Sequence, residues 1–140
     1  MITEHDAVRR LVLICPGFHD SLVSFRDSGG NPQESFNLIA ELAEAVVVQT
    51  KAKDFTCVGD LFTEFEKVLA DADPEARQVL VTGFLEDVHN FTVRFNKPED
   101  QIDPDALLPY LGPKTRSEWF QLVGTYIRWG ETWPGRTADD

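Results

Sequence analysis

Wherever apolar residues recur along this chain, they recur at helical spacing. Val8, Leu11, Val12 and Cys15 follow Thr3, whose hydroxyl can cap a helix and which has Asp6 three positions on in the manner of a capping box. This predicts a first helix, stopped or bent by Pro16 and Gly17. Phe18, Leu22 and Phe25 mark a short second one ending near Ser28 to Gly30. Asn31 before Pro32 reads as an N-cap and a first-turn proline. The helix they open carries Phe36, Ile39, Ala40, Ala43, Val46 and Val47 on one face and reaches about Lys51. The run Val46 to Val48 suits a strand as well, which leaves the last turn open between the two.

The clearest periodicity is Val58, Leu61, Phe62, Phe65, Val68 and Leu69, with Asp60, Glu64, Glu66, Lys67 and Asp71 largely on other faces. Asp73 and Pro74 then give a cap and a first turn, and Leu80, Phe84, Leu85, Val88, Phe91 and Phe95 form another apolar stripe. The connection between these two helices is so short that they should form an antiparallel hairpin. A polar stretch from Asn96 to Asp103 reads as an exposed connection. Asp103 and Pro104 repeat the start signal for a short helix through Leu107, Leu108 and Leu111, broken by Pro109 and closed by Gly112. Trp119, Leu122, Val123, Tyr126 and Ile127 define the last helix. There is no repeat of fixed period and no linker of domain-boundary quality. The expectation is an all-α, single compact domain of five to seven helices packed as antiparallel hairpins, over residues 1–133, with 134–140 as a loose tail.

Composition narrows the function classes. A chain of 140 residues buries roughly 70% of its unfolded surface and needs no metal or disulfide staple. Ten Phe and three Trp set it apart from disordered acidic chains. Its longest apolar runs, Leu11 to Cys15 and Ala45 to Val48, fall far short of a membrane span. Glu4 and Asp6 stand where a secretion signal carries basic residues. With two cysteines, Cys15 and Cys57, that form neither a CxxC pair nor a disulfide framework, the reading is buried free thiols and a cytoplasmic protein. The net charge of −11 repels phosphate backbones and anionic lipid, so neither nucleic acid nor membrane is expected as a partner. Most of that charge lies between Asp54 and Asp105, where 13 acids face four bases for a net of −9.

Candidate chemistry is sparse. Glu86 and His89 make a single ExxH on a helix, an element that di-iron bundles use twice and supplement with further Glu. His5 and His19 add no ligand spacing, so no metal and no cofactor is expected. A catalytic thiolate wants electropositive surroundings, and this chain offers mostly acids. GxSxG, GxxxxGKS/T and GxGxxG are absent. Glu86 with Asp87, or Glu99 with Asp100, can be nominated as acid and base, but adjacent helix residues point to different sides. Trp119, Phe120, Tyr126, Trp129 and Trp133 lack the basic groove that an aromatic platform for single strands needs. An enzyme is therefore not expected. What remains is the acidic middle: Asp60, Glu64, Asp71, Asp73, Glu75, Glu99, Asp100, Asp103 and Asp105 are the candidate partner-binding residues, a surface whose field would steer a basic protein.

The segment Val81-Thr-Gly-Phe-Leu-Glu-Asp-Val-His-Asn90, followed by Tyr110-Leu-Gly-Pro113 and Trp119, resembles small helical bacterial proteins of the polymorphic-toxin immunity type. The resemblance runs from Leu61 to Trp119 and finds nothing in Met1 to Lys53. Its motifs are structural and transfer no catalytic residue. It implies an immunity or antitoxin-type protein that neutralises a toxin domain. The alternatives are a non-inhibitory helical adaptor in a larger complex and, third, a small enzyme.

Overall fold

The computed structural model describes residues 1–15, 32–94 and 101–128. The expected helix at Phe18, Leu22 and Phe25, the Asn31 cap, Phe95, and the stretch from Trp129 through Trp133 to the tail lie outside them. The described residues form an all-α single domain with six helical elements.

Helix α1 is Glu4–Val12. The Thr3 hydroxyl accepts a hydrogen bond from the Asp6 N–H, satisfying one of the amides that a helix start leaves without a partner. Ala7, Val8, Leu11, Val12 and Cys15 are buried, which is the face that the spacing predicts.

Helix α2 is Pro32–Lys51. Leu38, Ile39, Leu42, Ala43, Val46, Val47 and Thr50 are buried while Val48 is 61% exposed, a helical distribution that resolves the three-valine run in favour of helix. Its end is a Schellman motif: the Lys53 N–H donates to the Thr50 carbonyl and the Asp54 N–H to the Gln49 carbonyl. Lys53 occupies the left-handed position with φ of 57°, where glycine is usual.

Helix α3, Thr56–Ala70, buries the six residues the pattern singles out: Val58, Leu61, Phe62, Phe65, Val68 and Leu69. Beyond a short turn the chain continues over residues 74–94 as one helical rod, α4, built of α-helical Pro74–Gln78, π-helical Val79–Leu85, α-helical Glu86–His89 and π-helical Asn90–Arg94. Asp73 caps it by accepting from the Ala76 N–H at 2.8 Å. A π winding is defined by hydrogen bonds between residues five apart, and Val79, Leu80, Phe84 and Leu85 are buried along it. Gly83 lies against α2, where an added methyl would meet the Phe36 ring at 3.3 Å and Ile39 at 3.4 Å.

Phe62 and Phe65 of α3 pack with Phe84 of α4, with ring centroids 5.3–6.0 Å apart, so the chain folds back at Asp71 to Asp73. The turn is held from outside by the N-terminus. The Ile2 N–H donates to the Asp71 carbonyl at 2.6 Å and the Asp73 N–H to the Ile2 carbonyl at 2.8 Å. Helix α1 packs on α2, α3 and the start of α4, and α4 lies along α2.

The 3₁₀ segment Pro104–Tyr110 starts at Asp103, which accepts from the Asp105 N–H. Tyr110 stacks on Phe55 at 5.0 Å. Helix α5 is Pro113–Arg128 and packs on α3 through Thr115, Trp119 and Val123, all buried. No side chain of its own caps it. Glu66 of α3 does so, accepting from the Lys114 N–H at 2.7 Å, the Thr115 N–H at 2.9 Å and the Thr115 hydroxyl at 2.6 Å. Gly112 makes room for that carboxylate: a methyl there would come within 2.5 Å of it.

Three substitutions test these contacts. Phe65→Ala should cost about 3–5 kcal/mol, because its fully buried ring fills a close-packed centre. Glu64→Ala should cost under about 1 kcal/mol, since its pair with Arg10 at 2.6 Å is partly exposed. Equal shifts in denaturant midpoint would contradict this division of the helix. Glu66→Ala should cost about 1–2 kcal/mol by unmaking a three-bond cap. Burial raises the Glu66 carboxyl, yet the bonds from Thr115 and Lys114 outweigh it and hold the group below the usual 4.5. Its contribution is therefore full above pH 4.5 and lost as pH falls through the lowered value, so wild type and variant should converge in acid melts.

Candidate functional site

The nominated acids divide by what their carboxylates do. Asp60, Glu64, Lys67 and Asp71 recur at i, i+4, i+7 and i+11 on α3, which puts them on one face about 16 Å long. Asp60 and Asp71 are exposed at its two ends. Glu64 between them accepts from Arg10 of α1 at 2.9 Å, and Lys67 is exposed in the same row. The stripe therefore carries both signs in its middle and bare negative charge at its ends.

Asp73 and Asp103 are helix caps whose oxygens already hold backbone N–H groups. Asp105 is half-buried beside Asp103. Glu75 is exposed in the first turn of α4, where negative charge also suits the helix dipole. Glu99 and Asp100 lie outside the described residues. Asp60, Asp71 and Glu75 are thus the nominated acids whose carboxylates are exposed and engaged by no described residue.

The other nominated pair lies on the α-helical turn between the two π-helical stretches. Glu86 and Asp87 are half-buried there and His89 is fully buried. The Thr92 hydroxyl donates to the carbonyls of Val88 and His89, at 2.8 and 3.1 Å. Among the described residues no three His, Cys, Asp or Glu side chains come together to hold a metal ion, and no helix is long and apolar enough to cross a membrane. Burial, and then the charge of Glu86, push the Asp87 carboxyl up to about 6.

Two features were not legible as sites in the sequence. A cleft of about 630 Å³ opens between the end of α2 and the 3₁₀ segment, lined among others by Lys51, Lys53, Phe55, Ile102 and Asp103. The lysines bring positive charge to an acidic protein, and their meeting with Ile102 depends on contacts some 50 positions apart. The second feature is the approach of Cys15 to Cys57, with sulfurs 2.6 Å apart. The sequence suggested separate buried thiols, because nothing in their spacing of 42 positions shows that α1 ends against the first turn of α3.

The raised Asp87 carboxyl has a defined pH signature. Its folded value lies above the ordinary 3.8, so folding disfavours the charged form and stability falls as pH rises from about 4 to about 6. Asp87→Asn should raise Tm at pH 7.5 and lose that advantage near pH 4. A Tm difference that is the same at both pH values would show that the carboxyl is not desolvated.

No curated protein and no solved structure matches the chain. A family model described as "Domain of unknown function (DUF7674)" matches residues 8–126. The match takes in all of Leu61 to Trp119, where the resemblance to immunity-type proteins lies, and extends through most of Met1 to Lys53; nothing in it bears on immunity. From α1 to α5 the helical domain is the matched unit, and the chain belongs to the DUF7674 family.

Proposed function

We propose that this protein is a binding module of the immunity type, which engages a basic toxin domain through the exposed acids along α3 and at its connection to α4. The observation that carries the reading is the division among the acids. Glu66, Asp73 and Asp103 cap helices and Glu64 is paired with Arg10, whereas Asp60, Asp71 and Glu75 are exposed and no described residue engages their carboxylates. Charge that does no internal work and stands on a rigid helix elbow is suited to steering a partner of opposite sign. The elbow is rigid because the Ile2 backbone clamps it from outside and the Phe62, Phe65 and Phe84 rings pack beneath it. The immunity form of the reading is supported by the resemblance of residues 61–119 alone. A helical adaptor would use the same surface without silencing its partner, so inhibition of the partner's activity separates the two. A small enzyme is the third reading and would turn over substrate without any partner.

The test is binding kinetics against the protein encoded beside this one. Asp60→Asn, Asp71→Asn and Glu75→Gln combined should leave the melting curve intact and slow association by about tenfold or more, with salt producing the same effect on wild type. Asp73 is left out because its carboxylate is already engaged by the Ala76 N–H as the cap of α4. Unchanged association in the triple variant would remove the acidic elbow from the interface.

A further inference from the structure

Cys15 lies three residues beyond the end of α1, and Cys57 stands in the first turn of α3. They are 42 positions apart, yet their sulfurs approach to 2.6 Å. That is well inside van der Waals contact and roughly half an ångström longer than a covalent S–S bond of about 2.05 Å. Both are free thiols in this structure. The separation does not suit a shared cation, because two sulfurs about 2.3 Å from a tetrahedral metal stand roughly 3.7 Å apart. Among the described residues no third ligand joins them.

The two thiols have unequal surroundings. Cys15 is buried, whereas Cys57 is partly exposed and lies 3.6 Å from the Ile14 carbonyl. Burial first, and then the hydrogen bond and charge of Cys57, push the Cys15 thiol up to about 12. Cys57 is accordingly the sulfur that a reagent meets first, and Cys15 is placed behind it.

We propose that Cys15 and Cys57 are a reversible dithiol–disulfide site, oxidised by low-molecular-weight disulfides, that staples α1 to α3. The Cys57 thiolate attacks one sulfur of the small disulfide, forms a mixed disulfide and expels one small thiolate. Cys15 gives its proton to solvent and attacks the Cys57 sulfur, expelling the second small thiolate. Two protein thiols are oxidised and one small disulfide is reduced to two thiols. The new bond closes the loop from 15 to 57, which restricts the unfolded chain more than the folded one because the sulfurs already meet in the fold. The staple is independent of the reading of the exposed acids, because it uses none of their carboxylates and needs no partner.

The experiment equilibrates the whole chain in reduced and oxidised glutathione at graded ratios, quenches with acid, alkylates free thiols and reads the intact mass and the linked peptides. The expected result is a monomer two hydrogens lighter, with Cys15 joined to Cys57 and a Tm raised by on the order of 10 °C. Cys15→Ser should stop at a glutathione adduct on Cys57, and Cys57→Ser should react at least about tenfold more slowly through the buried Cys15. If either variant fails to fold, the wild-type linkage decides alone. Free thiols throughout the series, an adduct on wild type that never resolves, a link between chains or an unchanged Tm would each overturn the proposal.

Discussion

Phe62 and Phe65 from one helix and Phe84 from the next close the centre of this protein, and the remaining helices are arranged so that those rings stay dry. Burying aromatic surface is the largest favourable contribution available to a chain of this size. It requires α3 to turn its whole apolar face inward, with Val58, Leu61, Val68 and Leu69 beside the rings. Once that face is committed, the remaining sides of α3 become the frame for its neighbours. Glu66 reaches out to hold α5, Glu64 meets Arg10 of α1, and the Asp71 carbonyl receives the Ile2 amide.

This arrangement gives charged residues unequal roles. A carboxylate accepting several N–H groups, as Glu66 does, is part of the fold as surely as a buried leucine, because leaving those amides without a partner costs comparable free energy. Asp73 and Asp103 act similarly at shorter range. An acid at the exposed end of a helix stripe has no such duty. Net charge alone merges the two kinds, and an interface sought from composition would include residues that cannot be spared from the backbone.

The rod α4 shows a related compromise. Its π-helical stretches place Val79, Leu80, Phe84 and Leu85 against the core in pairs five apart, while Gly83 lets the rod approach Phe36 and Ile39 of α2. The same rod carries Asp87 half-buried beside Glu86, a carboxyl held near neutrality by desolvation. Packing of the buried face sets the winding, and the polar groups of the rod accept the environment that results.

Local features were legible in the sequence because their causes are local. The helical period at Val58 to Leu69, the hydroxyl of Thr3 before its helix and the Asp-Pro starts at 73 and 103 act within one or two turns of chain, and the structure keeps each of them. The π winding of α4 was not legible, since an apolar stripe read at 3.6 residues per turn differs little from one wound more loosely. Nor was the cap of α5, whose donor groups at Lys114 and Thr115 are met by the Glu66 carboxylate, 48 and 49 positions earlier. The approach of Cys15 to Cys57 and the separation of structural from exposed acids belong to the same class. Among the described residues, the sequence by itself determined where the helices run and most of the face that each buries, because short-range sterics and hydrophobic period act between neighbours along the chain. Only the tertiary structure decided which distant polar groups meet, because those meetings depend on how the helices pack, and a contact between positions some 40 or 50 apart leaves no periodic trace in the sequence.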